Sequence, residues 1–397
     1  MMREMSLVKG WCPDMFAPMQ AADGWLVRFR PDLGRFSSEA LLQIADIAET
    51  YGNGIIELTN RGNLQLRGFV FDQIPEVARK AIAYGLIAAD PVEEKRRGLL
   101  VSPLAGLDPA CDRSTLECAA ALRSSLVQET AFASLPDKFS FAVDGGGYFP
   151  SGSLSADIML RAENGRWHVA CGQARSEETS LEAAIMMAVK VIHAFLENAD
   201  ALRPSTHVQM GQVYLQKAGA QSRACSSGGG IPSVVGLLAG NASGLGVPLG
   251  RMDACALRVG AQIARSSGDG IVRTTPWRSL VVSGAVSTVQ GFVTEATDAR
   301  LRVQACVGKT GCARGAAKVG ADALYLALDV PTGRTLHVSG CSKGCAHPSP
   351  ADMTLVARDG VYDAARNAAA SDAIRWRGLN IQQVSALLRT EFKETDA

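Results

Sequence analysis

Residues 33–68 read LGRFSSEALLQIADIAETYGNGIIELTNRGNLQLRG, and residues 249–284 read LGRMDACALRVGAQIARSSGDGIVRTTPWRSLVVSG. Shifted by 216 residues, the two stretches align without a gap, and fourteen of the thirty-six positions are identical. Each copy predicts a strand, a helix and a following strand region, judged from the spacing of its apolar residues. Such self-similarity indicates an internal duplication. We therefore expect an α+β fold in which the two copies pair as a pseudo-twofold platform.

The duplication divides the chain into four predicted domains. An α/β segment separates the copies, with predicted strands at 138–143 and 156–161 and a predicted helix at 180–197. A stretch rich in small residues, 218–232, is interpreted as the linker into the second copy. The predicted domains are a first half-unit at 1–85, a first α/β domain at 86–215, a second half-unit at 216–296 and a cysteine-bearing domain at 297–397.

Composition indicates a folded protein with a sizeable core, since 47% of the 397 residues are hydrophobic and 20% are charged. The net charge of +1 gives no reason to expect binding to nucleic acid or to an anionic membrane surface. We find no signal peptide and no apolar run of membrane-spanning length. Ten cysteines are too few for a disulfide scaffold in a chain of this length. These features together predict a cytoplasmic protein.

Two close cysteine pairs, Cys306 with Cys312 and Cys341 with Cys345, predict a metal centre. Four thiolates on glycine-rich loops are the ligand set of a [4Fe–4S] cluster. A zinc site is an alternative, although the spacing C-x5-C of the first pair falls outside the usual C-x2–4-C of structural zinc. Four buried free thiols are a further alternative, because cysteine is among the most often buried residues.

The amino-acid sequence of both loops resembles that of the precorrin-3B synthases, a branch of the sulfite and nitrite reductase superfamily. The motifs are CVGKTGCARG at 306–315 and HVSGCSKGCAHP at 337–348, and the opening at 10–24 is similar to that branch as well. Lys343 stands where the reductases usually have Asn. The resemblance implies ferredoxin-like half-units, reductase-type α/β domains and a [4Fe–4S] cluster on the four cysteines.

The same resemblance implies an O2-dependent monooxygenation of precorrin-3A, by hydroxylation at C20 with γ-lactone formation, in aerobic cobalamin biosynthesis. The electrons would come from an external donor, either an NADH-dependent reductase or a protein of the ferredoxin or flavodoxin type. The family is thought to use an additional mononuclear non-haem iron. The histidines nearest the cysteines in sequence, His347 and His337, are its candidate ligands, and a hydrogen bond from His347 to a cluster sulfur or to substrate is the alternative.

Two other functions stay open from the sequence. The first is a sirohaem-dependent sulfite or nitrite reductase, in which Cys345 would also bridge to the sirohaem iron. The second is a non-catalytic tetrapyrrole- or cluster-binding protein that has kept the fold.

The resemblance also implies a binding site for the acid side chains of the tetrapyrrole on the first half-unit. The alternative is that these residues are ordinary polar faces of a half-buried sheet. Lys138 lies in LPDKFSF, which is similar to a reductase motif with a second basic residue where this chain has Ser140. The candidate substrate-binding residues are Arg28, Arg30, Thr59, Arg61, Asn63, Gln65 and Lys138.

The remaining cysteines and two of the histidines lack ligand spacing, and we interpret them as structural. They are Cys12, Cys111, Cys118, Cys171, Cys225, Cys255, His168 and His193.

Overall fold

The first copy of the repeat forms part of a five-stranded sheet in the computed structural model, which describes residues 12–198, 202–225 and 230–393. The first two residues of the predicted opening motif, Gly10 and Trp11, lie outside that range. The elements of this half-unit are β1 (Met19–Ala21), β2 (Gly24–Phe29), β3 (Arg35–Ser37), α1 (Ser38–Tyr51), β4 (Ile55–Leu58), β5 (Leu64–Phe69) and α2 (Ile74–Ala83).

A six-stranded sheet with helices follows. Its elements are α3 (Pro91–Arg96), β6 (Leu99–Val101), α4 (Thr115–Gln128), β7 (Phe141–Asp144), β8 (Ile158–Glu163), β9 (Arg166–Cys171), β10 (Ala174–Arg175), α5 (Leu181–Leu196), α6 (Met210–Lys217) and β11 (Arg223–Ala224). The strand order is β11-β10-β9-β8-β7-β6. The predicted boundary at residue 215 falls before β11, which belongs to this sheet because Ala224 pairs with Ala174.

The second copy repeats the arrangement of the first. Its elements are β12 (Gly236–Leu238), β13 (Ala242–Gly246), β14 (Arg251–Asp253), α7 (Ala254–Ser267), β15 (Ile271–Thr274) and β16 (Ser279–Ser283).

The cysteine-bearing domain has its own five-stranded sheet, ordered β17-β18-β19-β20-β21. Its elements are β17 (Val303–Ala305), α8 (Val319–Leu326), β18 (Leu336–Ser339), β19 (Ala351–Arg358), β20 (Val361–Ala368), β21 (Trp376–Leu379) and α9 (Ile381–Lys393). None of the helices in the described ranges is long and apolar enough to span a membrane.

The two half-units exchange a strand. Strand β14 of the second copy pairs with β4 of the first, and β3 of the first pairs with β15 of the second. The resulting sheets are ordered β1-β2-β5-β4-β14 and β12-β13-β16-β15-β3. The contacts repeat at equivalent positions, since the Ser38 amide donates to Gly270 O at 2.8 Å and the Ala254 amide donates to Gly54 O at 3.1 Å. This confirms the predicted pseudo-twofold platform.

Helices α1 and α7 pack against each other at the centre of this platform. Each begins with the same kind of cap: Ser37 accepts from the Ala40 amide, and Asp253 accepts from the Ala256 amide. Their apolar faces enter one hydrophobic core shared by both copies, in which Leu257 is fully buried. The duplicated sequence therefore builds one core, and the other two sheets attach to it.

Candidate functional site

The topology of the last domain brings the four cysteines to one edge of its sheet. Strands β17 and β18 are parallel neighbours, so their carboxyl ends lie side by side. Cys306 follows β17 directly, and Cys341 lies two residues after β18. In an open sheet with parallel strands this is the edge at which ligands usually bind.

The cysteine loops pack closely on one another. The Gly340 amide donates to Cys306 Sγ at 3.2 Å, and a Cβ on Gly340 would lie at the same distance from that sulfur, so glycine lets the two loops approach. Burial raises the pKa of the Cys345 thiol, the Lys343 charge lowers it, and the other three thiolates raise it further. The four thiols are therefore electrostatic neighbours.

The thiols are not arranged around a single ion. Within residues 12–198, 202–225 and 230–393, no group of three or more His, Cys, Asp or Glu side chains is close enough to hold one metal ion. All four sulfurs nevertheless border the same cavity, of about 440 Å³. Four cysteine thiolates around one cavity are a donor set that a [4Fe–4S] cluster uses.

This large cavity lies where both half-units meet the cysteine-bearing domain. The cysteine loops form one wall, and polar side chains of each half-unit form the others. The residues that matter for its chemistry are Arg28, Glu57, Gln65 and Arg67 from the first half-unit, and Arg251 and Arg278 from the second. The volume is in the range of small-molecule sites.

Glu57 joins the two half-units at the large cavity, and its partner Arg67 reaches the cysteine-bearing domain. It accepts from Arg67 Nη1 at 3.0 Å, from Arg251 Nε at 3.2 Å and from Gln65 Nε2 at 2.5 Å. Arg67 also forms an ion pair with Asp23 and donates to Gly311 O at 2.8 Å, in the first cysteine loop. Arg67 and Arg251 are thus neutralised and hold the walls of the cavity together.

A second, smaller cavity of about 40 Å³ is also bordered by Arg28. Its lining comes from the first half-unit, with Cys12, Arg61 and Asn63, and from the first α/β domain. Arg61 Nη2 donates to Lys138 O at 2.7 Å. Burial lowers the pKa of both Arg28 and Arg61, the nearby Cys12 opposes this shift, and neighbouring arginines lower the pKa further. Asn63 Oδ1 is buried without a hydrogen-bond partner. This small cavity offers a concentrated positive charge to an anion.

The other candidate substrate residues have mainly structural contacts. Arg30 lies between two buried carboxylates, at 3.4 Å from Asp14 and 3.2 Å from Glu94. The Thr59 hydroxyl accepts from the Arg61 and Asn63 amides at 3.3 and 3.1 Å and so fixes the turn between β4 and β5.

Lys138 and Gln65 complete the set of candidates from the sequence. Lys138 offers its backbone carbonyl to Arg61. Gln65 joins Arg28 to Glu57, because it accepts from Arg28 Nε at 2.8 Å while donating to Glu57.

His337 and His347 lie together beneath the second cysteine loop, with ring centroids 5.8 Å apart. His337 is fully buried, and neither of its ring nitrogens has a hydrogen-bond partner. Burial lowers its pKa to about 4, with a smaller contribution from His347. His337 is therefore neutral at pH 7 and keeps a lone pair available.

Sequence reasoning missed several residues of the large cavity, namely Glu57, Arg67, Arg251 and Arg278. A signal existed for Arg251, since Arg35 and Arg251 are an identical pair in the repeat. In the structure these two arginines make equivalent contacts, to Ala105 O at 2.9 Å and to Ala305 O at 3.0 Å. Each ties its half-unit to the neighbouring domain.

Comparison with known proteins agrees with this architecture. Residues 18–84 and 239–287 match the nitrite/sulfite reductase ferredoxin-like half domain. The chain is 29% identical to a precorrin-3B synthase of Sinorhizobium sp., over 92% of this chain and 84% of that protein. It is 24% identical to the ferredoxin–nitrite reductase of Synechococcus elongatus, over 84% of this chain and 76% of that one.

Among solved structures, the chain is similar to the NirA protein of Mycobacterium tuberculosis. The TM-score is 0.65 at 17% identity, covering 93% of this chain and 80% of that one. At this identity the likeness concerns the fold, which confirms the predicted duplicated half-units with reductase-type α/β domains.

Proposed function

We propose that the chain is an oxidoreductase that converts precorrin-3A to precorrin-3B, because its half-units match the nitrite/sulfite reductase ferredoxin-like half domain and it is similar to a precorrin-3B synthase over most of its length. One observation carries the proposal. Four thiols and a set of arginines border a single cavity between the two half-units and the cysteine-bearing domain. A redox group and a polyanionic substrate would meet there.

The proposed cofactor is a [4Fe–4S] cluster held by Cys306, Cys312, Cys341 and Cys345. When bound, such a cluster transfers electrons one at a time. The protein contributes the glycine-lined loops, and the Gly340 amide on Cys306 Sγ is a hydrogen bond of the kind that tunes a cluster's potential. His337 and His347 are the proposed ligands of an additional iron, and the unpartnered ring nitrogens of His337 support that role.

The proposed substrate carries acetate and propionate groups and is polyanionic at pH 7. Arg28 borders both cavities, and Arg61 lies in the smaller one. Partly desolvated guanidinium groups bind carboxylates strongly, because little water competes and the planar fork matches the carboxylate. These two residues are the proposed carboxylate contacts of the first half-unit, with Asn63 and Gln65 as hydrogen-bonding neighbours.

The proposed reaction is a monooxygenation. One atom of O2 enters the product as the C20 hydroxyl group, the ring A acetate closes the lactone, and two electrons and two protons reduce the other oxygen atom to water. The electrons come from an external donor of the NADH-dependent reductase or ferredoxin or flavodoxin type. The chain's own residues bind and orient the macrocycle beside the cysteine loops.

A sirohaem-dependent sulfite or nitrite reductase is the second candidate. The cationic cavity of about 40 Å³ favours it, since that volume suits a small anion. Two residues of the same cavity argue against a reductase. Asp137 adds a negative charge, and Ser140, which donates to Asp157, stands where the similar reductase motif has a basic residue.

The test is anaerobic purification, with iron and acid-labile sulfide counted, followed by incubation with precorrin-3A and O2. We expect about four sulfides per chain, more iron than sulfide, no Soret-type bands and formation of precorrin-3B. Strong sirohaem bands with sulfite or nitrite reduction would overturn the proposal in favour of the reductase.

Replacement of one proposed cluster ligand tests whether the four cysteines hold the cluster. We expect Cys341→Ser to remove the visible absorbance of the cluster and the activity together, because one thiolate corner is lost. The matched control is Cys255→Ser, on the exposed face of α7, which should keep both. Full activity in a Cys341→Ser protein without cluster would refute the assignment.

A further inference from the structure

The two copies place different residues at one unusual backbone position. In the turn between β4 and β5 the residue is Gly62, with φ +69°, and in the equivalent turn between β15 and β16 it is Arg278, with φ +57°. The turns match closely, because Thr275 accepts from the Trp277 and Ser279 amides as Thr59 does in the first copy. The left-handed region is unfavourable for a side chain that carries a Cβ. Arginine is therefore held there against its own backbone preference.

The Arg278 side chain lies against the large cavity and reaches the cysteine-bearing domain. Its Nη1 donates to Val303 O at 2.9 Å and its Nη2 to Leu301 O at 3.4 Å. Burial lowers the pKa of the guanidinium, and it forms no ion pair with any carboxylate of the described residues. These two bonds use two of the five N–H groups of a guanidinium, and the side chain also lines the large cavity.

Two other arginines of the large cavity already have carboxylate partners. Arg67 and Arg251 share the carboxylate of Glu57, and Arg67 also has Asp23. Arg28 donates to the neutral Gln65 and lies beside the Cys12 side chain, and, like Arg278, it has no carboxylate partner in the part of the chain that the structure describes. One arginine without a carboxylate partner thus comes from each copy, and a cation of this kind at a cavity is expected to take an anion.

We propose that Arg278 is a positioning residue that binds a carboxylate side chain of the tetrapyrrole, while Arg28 binds another across the cavity. The inference rests on the proposed function and adds the second half-unit to the substrate site. Two anchors from two related halves fix the rotation of the macrocycle in its plane, which one anchor cannot do. Backbone strain at Arg278 fits this role, because strain tends to persist where function requires it.

The decisive variant is Arg278→Gly, which gives the second turn the residue of the first. Glycine accepts φ +57° without strain, which offsets part of the loss of the hydrogen bonds to Val303 O and Leu301 O, so we expect the melting temperature to fall by only a few degrees. We expect the dissociation constant for uroporphyrin III, an octacarboxylated tetrapyrrole, to rise at least about tenfold, since a charge-assisted hydrogen bond to a desolvated carboxylate is lost. Fluorescence quenching under anaerobic conditions measures it. Arg79→Gln, on the exposed face of α2, is the control for net charge and should bind like wild type.

The outcomes separate this inference from the proposed function. Unchanged affinity in Arg278→Gly, with wild type binding uroporphyrin III, overturns the role of Arg278 alone. A wild-type protein that neither binds the porphyrin nor converts precorrin-3A overturns the proposed function. If Arg278→Gly does not fold, the affinities of Arg278→Lys and Arg278→Gln for uroporphyrin III are compared instead. Tighter binding by the lysine variant than by the glutamine variant supports the role of Arg278, and equal affinity refutes it.

Discussion

His168, interpreted from the sequence as structural, has an environment that changes its protonation. His168 on β9 is fully buried and neither ring nitrogen has a hydrogen-bond partner. Burial lowers its pKa to about 4, and the nearby charges of Glu163, Arg175 and Arg161 largely offset one another. The imidazole is therefore neutral in the folded protein throughout the range from pH 5 to 8.

This burial makes stability depend on pH. Between pH 6.5 and pH 4 the unfolded chain binds a proton at His168 and the folded chain does not, so the free energy of unfolding falls as the pH falls. From pH 7 to pH 5 the loss from this residue is about 2 kcal/mol. We expect His168→Val to remove that part of the pH dependence in urea titrations. Equal slopes for wild type and His168→Val would contradict the prediction.

At the scale of elements, acidic residues join the two half-units in two different environments. Glu57 on β4 binds Arg251 of β14 in a mostly buried position, with side-chain exposures of 16% and 20%. Glu49 on α1 binds Arg258 of α7 at the surface, with exposures of 49% and 28%. The two ion pairs join the same two copies, so they form a matched comparison.

We expect Glu57→Gln to lower the free energy of unfolding by about 2–4 kcal/mol, because Arg67 and Arg251 lose the shared carboxylate in a desolvated place. Glu49→Gln should change the free energy of unfolding much less, since water and salt screen an exposed pair. Urea denaturation of both variants measures the difference. Similar losses for the two variants would show that burial does not govern these ion pairs.

At the scale of the whole molecule, the exchanged strands make the two copies one folding unit. Each copy supplies an edge strand to the other's sheet, and α1 and α7 share one core. Neither half-unit can complete its sheet alone. The remaining two sheets have cores of their own, so the platform is the common support to which they attach.

We predict that damage to the core in one copy destabilises both copies equally. Leu257→Ala on α7 removes a fully buried side chain and should cost about 2–5 kcal/mol. Amide hydrogen exchange should then speed up by the same factor in β4 of the first copy and in β15 of the second. Faster exchange confined to β15 would mean that the half-units open independently.

The sequence by itself determined the duplication, the helix of each copy and the loops that carry the two cysteine pairs. These features depend on local spacing and on residue type, which act within a few residues of chain. The assignment of the four cysteines to one cluster stays a prediction, although they border one cavity.

Only the tertiary structure decided which charged residues are available to a ligand. Arg28, Arg30 and Arg67 all lie on or directly after strands of the first half-unit. Carboxylates neutralise Arg30 and Arg67, whereas Arg28 donates to the neutral Gln65. The exchange of β3 and β14 was equally invisible, because a three-residue strand can pair with either sheet until the packing of α1 on α7 selects its partner. Ion pairing and strand exchange join residues far apart in the chain, so local pattern cannot specify them.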